Sequence, residues 1–218
     1  MKCYTLIHKL NSAIHLKFRR HSSTNVVFLF ILHIFLYWLT VFILRDRVGT
    51  LSHRHVAPLV VFNQLSSIVW YPIFTNLPLS PLGWRLPIEI IEIIVVNSFI
   101  FGAFHSVIHD CRPLKWIHDI HHQMVIPTGS GALYAHPLEH LFVVIGSIAC
   151  TVILVPVSYD AILLFTAIAS VNTVYAHTPG TSHAHHHHSH PSKNRSNFPP
   201  LWDIWRGTFQ VHQNTPQL

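Results

Sequence analysis

The chain contains an apolar stretch long enough to cross a lipid bilayer. Val26 to Leu44 is 19 residues without a formal charge, and a transmembrane helix needs about 20 predominantly apolar residues. Half of the chain is hydrophobic (50%) and only 10% of it is charged, well below the share of about 25% in soluble domains. The sequence therefore predicts an integral membrane protein of the all-α class.

Other apolar stretches follow the first. The full set is Val26–Leu44, Val56–Phe74, Ile88–Phe104, Leu141–Ser158 and Ala161–Ala176. The second is interrupted by polar residues such as Asn63 and Gln64 and by Pro72, so it is either a span or a re-entrant or interfacial segment. The last two form a helical hairpin around the turn 156–160. We expect a polytopic helical bundle of four or five membrane segments and favour four.

The chain divides by composition into a basic N-terminal segment (1–25), N-terminal membrane segments (26–87), a histidine-rich region (88–209) and a tail (210–218). Lys2, Lys9, Lys17, Arg19 and Arg20 all precede the first acid, Asp46. Beside a membrane span such charge is typical of a topology signal, although a transit peptide has a similar composition. With four spans, this rule places both the N-terminus and the histidines in the cytosol. We expect no nucleic-acid binding, because the charge does not form a soluble basic face.

Fourteen of the chain's 21 histidines lie between His105 and His190. They include an HxxxH motif (His105/His109) and two HxxHH motifs (His118/His121/His122 and His183/His186/His187). Residues three and four apart share one helical face, and neutral imidazole is the commonest transition-metal ligand. Eight nitrogens exceed the needs of one tetrahedral zinc, so the spacing predicts two metal ions with open positions. The motifs flank the spans on one side of the membrane, which predicts a single histidine-rich cap.

Several other residues near these motifs are candidates for the same site. His177 is an additional candidate ligand, and His136 is either a ligand or a partner of one. Asp119 and Glu139 could accept the second ring N–H of a ligating histidine and fix its tautomer. The last motif has two registers, one that begins at His183 and one shifted by a residue.

The ordered motifs resemble the fatty acid hydroxylase/sterol desaturase superfamily. The resemblance rests on the three histidine motifs, on Asn197-Phe198, and on Trp202-Asp203 with Gly207-Thr208. The segment 134–139 is similar to the corresponding segment of sterol C4-methyl oxidases in that superfamily. The resemblance covers roughly residues 88–209, which we take as a fatty acid hydroxylase-like domain.

The resemblance implies an enzyme of the endoplasmic reticulum with two non-haem iron ions. It implies that O2 and electrons from NAD(P)H, carried by cytochrome b5 and its reductase, serve to hydroxylate or desaturate a sterol or long-chain lipid. The implied iron ligands are His105, His109, His118, His121, His122, His177, His183, His186 and His187.

The chain departs from the family pattern at its last motif. Only five residues, Thr178 to Ser182, separate His177 from His183, where the family has a much longer connection. Asn197-Phe198-Pro199 replaces Asn-Tyr-Gly, and Arg206 replaces the Phe before Gly-Thr. The short connection predicts a narrower substrate tunnel or an inactive family member. A zinc-binding or zinc-transporting membrane protein with a His-rich loop is the remaining alternative, although a transporter should carry ligands in the middle of its spans.

Overall fold

The computed structural model describes residues 23–44, 53–75, 85–188 and 190–211. Most of the predicted basic N-terminal segment and nearly all of the predicted tail lie outside these residues. The described chain is helical and contains no strand. Its main helices are α1 (Ser23–Leu44), α2 (His53–Ser66), α3 (Leu86–Asp110), α4 (Arg112–Asp119), α5 (Pro137–Leu154), α6 (Tyr159–Ala176), α7 (Ser182–His188) and α8 (Leu201–Arg206).

Four of the described helices, α1, α3, α5 and α6, are long and apolar enough to cross a membrane. Large apolar side chains point away from the bundle, and Phe42 of α1 is 77% exposed. A continuous apolar surface of this kind is stable against lipid rather than water. The prediction of an all-α membrane bundle is confirmed, and the described residues contain four candidate spans.

The second predicted apolar stretch is a broken helix. α2 ends at Ser66, and a 3₁₀ turn (Ser67–Trp70) and a one-turn helix (Tyr71–Phe74) follow it. Its polar interruptions make specific contacts. Asn63 Nδ2 donates to the carbonyl oxygens of Leu133 (2.9 Å) and Ala135 (2.8 Å). α2 therefore supports the loop that precedes α5.

The turn between α5 and α6 is fastened to the start of α3. The hydroxyl of Ser158 caps α6 by accepting from Ala161 N (3.2 Å), as Ser commonly does at helix starts. Glu89 of α3 accepts from the backbone N–H (3.1 Å) and the hydroxyl (2.6 Å) of Ser158. These bonds satisfy a buried carboxylate and fix one end of the bundle.

The bundle core lies where α1 packs against α6 and α3 packs against α5 and α6. Val26, Ile93, Ala161 and Ile162 are fully buried there. At the opposite end of the bundle, the last turn of α3, the end of α6 and the short helices α4 and α7 converge. The histidine motifs lie at this end.

Candidate metal centre

Eight histidines form two compact groups at this end of the bundle. The first histidine set consists of His105, His109, His118 and His186, and the second histidine set consists of His121, His177, His183 and His187. Within each set, one ring nitrogen from every member lies within 4.8 Å of the others. The structure thus brings together eight of the nine predicted ligands in two groups of four.

Each set takes residues from more than one motif. The HxxHH motif after α3 gives His118 to the first set and His121 to the second. In α7, His186 joins the first set, whereas His183 and His187 join the second. This arrangement corresponds to the register that begins at His183, and it leaves His188 exposed.

Oxygen atoms fix the ring orientation of most members. The Nδ1 atoms of His186, His121 and His177 lie 2.8, 2.9 and 2.8 Å from the backbone oxygens of Lys193, Tyr134 and Thr173. The same atom of His183 lies 3.2 Å from Asn194 O, and that of His118 lies 2.8 Å from Glu139 Oε1. A carbonyl oxygen only accepts, so the Nδ1 atoms that face one carry the proton. In the neutral ring the lone pair is then on Nε2.

These Nε2 atoms face one another. In the first set, His118 Nε2 lies 2.8 Å from His109 Nε2 and 3.1 Å from His105 Nε2, and His109 Nε2 lies 2.9 Å from His186 Nε2. Where both nitrogens present lone pairs, such contacts repel unless a cation lies between them. In the second set, neither ring nitrogen of His187 has a hydrogen-bond partner among the described residues. The donor atoms therefore fit a pair of metal ions.

The protonation of the cluster also suits metal binding. Burial lowers the pKa of His121 to about 3 and the pKa of His122 to about 4. Burial also lowers the pKa values of His186 and His187 well below the usual range, and neighbouring imidazoles add to the effect. The imidazoles are neutral near pH 7, which is the form that ligates metals.

The ninth predicted ligand lies between the two sets. The ring of His122 is 4.6 Å from the His118 ring and 4.8 Å from the His187 ring, between centroids. Its Nε2 atom is buried and has no hydrogen-bond partner among the described residues. His122 therefore adjoins both sets but completes neither group of four.

Asp119, Glu139 and His136 were candidates for contact with a ligating histidine. Among these three residues, only Glu139 contacts a ring nitrogen of the two sets. Asp119 instead forms an exposed ion pair with Lys115 (2.7 Å), because it lies on the outer face of α4. His136 lies outside both sets: its Nδ1 accepts from Leu138 N (3.1 Å) and caps the start of α5. The structure therefore brings neither Asp119 nor His136 into contact with a ring nitrogen of the two sets.

Asp203 orders the segment that holds α7, a role that the sequence interpretation missed. Its fully buried carboxylate accepts from Arg195 N (3.1 Å), Ser196 N (2.6 Å) and Thr208 Oγ1 (2.7 Å). The ordered segment supplies the carbonyl oxygens that orient His183 and His186. The sequence signal for this role is the pattern Trp202-Asp203 with Gly207-Thr208. A packing turn without any link to the histidines explains that pattern equally well.

The short connection between α6 and α7 accommodates the second set. Thr181 Oγ1 donates to Thr178 O (3.0 Å) and accepts from Ala184 N (3.2 Å), which starts α7 directly after a tight turn. The rings of His177 and His183 lie 4.7 Å apart. A connection of five residues is therefore long enough to bring both histidines into one set.

A cavity of about 510 Å³ adjoins the histidines. Four members of the two histidine sets line one part of it: His105, His121, His177 and His183. A fifth histidine, His140, also lines the wall. The rest lies among α3, α5 and α6 and is lined mainly by apolar side chains such as Ile94, Ile148 and Phe165. Its size and lining are typical of a small-molecule site.

Comparison with known proteins shows which family the chain belongs to. The family model for fatty acid hydroxylases matches residues 90–208. The chain belongs to the fatty acid hydroxylase family. The resemblance seen in the histidine motifs is confirmed, and the matched residues include both histidine sets. No solved structure matches the chain.

Several curated proteins are similar to the chain. Fatty acid hydroxylase ahd1 of Mycosarcoma maydis is 34% identical over 90 residues, which cover 38% of this chain and 24% of that protein. Methylsterol monooxygenase 2-1 of Arabidopsis thaliana is 27% identical over 139 residues, covering 61% and 47%. Very-long-chain aldehyde decarbonylase GL1-8 of Oryza sativa subsp. indica is 27% identical over 153 residues, covering 62% and 53%. The matches thus span between about a quarter and a half of these relatives.

Proposed function

We propose that this protein is a membrane-bound oxygenase that hydroxylates or desaturates a C–H bond of a long-chain lipid or sterol. The observation that carries this function is the pair of histidine sets, with their Nε2 atoms converging, beside an apolar cavity within a membrane bundle. Membership of the fatty acid hydroxylase family supports the same chemistry.

The two histidine sets would each hold one iron ion. One ion would be held by His105, His109, His118 and His186, and the other by His121, His177, His183 and His187. When bound, the iron pair would use electrons from the carrier to activate O2 for attack on an unactivated C–H bond. No separate acid or base is assigned, and Glu139 acts by holding the tautomer and orientation of His118.

The cavity would take an apolar substrate from the bilayer. Phe101, Val144 and Phe165 line it beside the histidines, and such walls keep water away from a reactive oxidant. The shape of the cavity then decides which carbon lies beside the metal centre. Hydroxylation and desaturation both begin with removal of a hydrogen atom, so the product depends on how the substrate is held there.

The electron supply and the cellular location belong to the same proposal. We infer that electrons come from NAD(P)H through cytochrome b5 and its reductase, and that the protein resides in the endoplasmic reticulum. The support for both is the resemblance to the superfamily together with the four candidate spans. A soluble electron carrier would reach the histidine-rich end of the bundle from the aqueous phase.

The test uses the 218-residue chain purified in detergent and loaded with iron. It is incubated with sterol and fatty-acyl lipids, NADH, cytochrome b5 and its reductase under ¹⁸O2, and products are analysed by mass spectrometry. We expect an O2-dependent product, with ¹⁸O incorporated if the reaction is a hydroxylation. Zinc binding with metal flux in liposomes and no product would instead support a zinc-handling protein. Metal binding without a product from any lipid would support an inactive family member.

A ligand variant gives the matched control for this assay. His121→Ala removes a member of the second set, so turnover should fall below detection while membrane insertion is retained. His188→Ala changes an exposed histidine of the same tract and should keep wild-type activity. Full activity in His121→Ala would contradict the ligand assignment.

A further inference from the structure

One amide oxygen in the cavity wall lacks a hydrogen bond. Asn197 lines the cavity, and its Oδ1 atom is buried without a hydrogen-bond partner among the described residues. A buried carbonyl oxygen without a donor is destabilising and is uncommon in folded proteins. A donor brought by a ligand would satisfy it.

A chain of hydrogen bonds determines which atom of this amide is free. Thr151 Oγ1 donates to Ser147 O (2.8 Å), and Ser147 Oγ donates to Val144 O (2.9 Å). Both hydroxyls have used their only proton, so each can only accept from Asn97 Nδ2 (3.3 Å in each case). Asn97 Oδ1 then accepts from Asn197 Nδ2 (2.8 Å). The free atom of Asn197 is consequently the oxygen, an acceptor.

A second amide lines the same cavity from α6. Asn172 lies on the cavity wall with Ile168 and Ala169, and the residue is half-buried. A polar side chain within a membrane span that faces a cavity generally marks a substrate path. Two separate walls of a mainly apolar cavity thus each present an amide, and the oxygen of one of them, Asn197, is buried without a hydrogen bond among the described residues.

We infer that the cavity binds a lipid alcohol, whose hydroxyl donates to Asn197 Oδ1, and that Asn172 gives the same lipid a second polar contact. A hydroxyl supplies the missing donor, whereas a hydrocarbon, an ether or an aldehyde does not. The inference that this lipid binds depends only on the residues of the cavity. The inference that it is a substrate rests on the proposed function.

The position of Asn97 on α3 indicates where this hydroxyl lies. Asn97, which holds Asn197, precedes His105 by eight residues on α3, or about 12 Å along the helix. A hydroxyl held at Asn197 therefore lies beside a position about two helical turns before His105, and the carbon that reacts is a different one in the same molecule. Asn197 is a specificity-determining residue in this account and not a catalytic one.

The experiment measures binding to metal-free protein without O2. Tritiated octadecanol is bound to the 218-residue chain in nanodiscs and competed with octadecanol, octadecane or octadecyl methyl ether, which has the oxygen but no O–H. Cholestanol and cholestane form a second pair, which separates sterol from linear alcohols. In at least one pair, the wild-type protein should bind the alcohol at least about tenfold more tightly than the matching hydrocarbon. In the linear series, octadecyl methyl ether should bind more weakly than octadecanol by the same factor.

Variants assign the preference to the amides. Asn197→Leu should reduce the preference to less than about twofold, and Asn172→Leu should weaken alcohol binding alone. Retained binding of the hydrocarbon shows that each variant is folded. Val171→Leu, an exposed neighbour on α6, should behave as wild type.

Three results would overturn the inference. They are equal affinity for alcohol and hydrocarbon in both pairs, ether binding as tight as alcohol binding, and an unchanged preference in a folded Asn197→Leu protein. The first two use only the wild-type protein, so they hold even if a variant misfolds. A preference for alcohols without any O2-dependent product would sustain this inference and contradict the proposed function. An O2-dependent product without a preference for alcohols would support the proposed function and contradict this inference.

Discussion

At the scale of single residues, the proton on each imidazole determines what the cluster can bind. Backbone carbonyls take the Nδ1–H of His121, His177 and His186. The opposite nitrogens are left as lone-pair donors that point at one another. Only His118 uses a carboxylate, Glu139, for this purpose. A metal site is indicated by this orientation more strongly than by the number of histidines.

Glu139 and Asp119 provide a matched pair of variants at this scale. Glu139→Leu removes the acceptor of His118 Nδ1–H and should lower iron affinity about 10- to 100-fold, the usual effect of losing such a partner. Asp119→Leu removes only an exposed ion pair with Lys115 and should leave the affinity unchanged. Competitive titration with a coloured chelator measures both. Equal effects of the two changes would contradict the assigned role of Glu139.

Helix periodicity explains why the ligands could be predicted from the sequence and why their partners could not. Spacings of three and four residues place His105 and His109 on one face of α3 whatever surrounds it. The division of α7 between two sets depends on tertiary packing, which spacing does not encode. The contacts of His136 and Asp119 could not be predicted, because a motif position does not reveal whether a side chain faces inward. Asp203 is a lone carboxylate, and its role depends on backbone N–H groups that the sequence does not single out.

At the scale of elements, short segments outside the spans hold the histidines in place. α2 fastens the loop that contains Tyr134 O, the acceptor of His121 Nδ1–H. Asp203 of α8 holds the segment that precedes α8, and this segment orients α7. α8 in turn packs on α3, where Trp202 Nε1 donates to Ser106 Oγ (3.0 Å). The metal centre therefore depends on contacts that contain no ligand.

Removal of the Asp203 carboxylate should release the segment that orients α7. Asp203→Ala leaves several donors unsatisfied, and hydrogen bonds to charged groups are worth about 1.5–3 kcal/mol each. We expect roughly 3 kcal/mol or more of lost stability, together with loss of iron. Thermal unfolding and iron content measure the two effects. Ser196→Ala keeps the carboxylate and should cost far less; a similar loss in both variants would argue against a central role for Asp203.

The contact between α3 and α8 requires a glycine. A Cβ atom at Gly102 would lie 2.4 Å from Trp202 Cγ, well inside the distance that packed carbons tolerate. Gly102→Ala should therefore displace α8 and lower both the unfolding temperature and the iron content. Adding Trp202→Ala removes the clash, so the two changes together should cost less than the sum of their separate effects in a double-mutant cycle. Strict additivity would show that the two residues are not coupled.

At the scale of the whole molecule, the four spans bring both histidine sets to one end of a bundle with an apolar cavity. The spans could be predicted from composition, because 18 or more apolar residues have few alternatives in a membrane protein. The second apolar stretch was ambiguous, and its polar residue Asn63 contacts the loop before α5 at the histidine-rich end. Under the proposed function, a lipid would approach the histidines from the bilayer and electrons would reach them from the aqueous phase.

The central claim is that two metal ions are bound, one by each histidine set. The most direct measurement is the iron content of the 218-residue chain, reconstituted without oxygen and analysed by inductively coupled plasma mass spectrometry and Mössbauer spectroscopy. We predict two irons per chain with nitrogen-rich coordination, and a loss of iron in His109→Ala and in His187→Ala, which probe one set each. One iron or none per chain after full reconstitution, or unchanged iron content in both variants, would contradict the account.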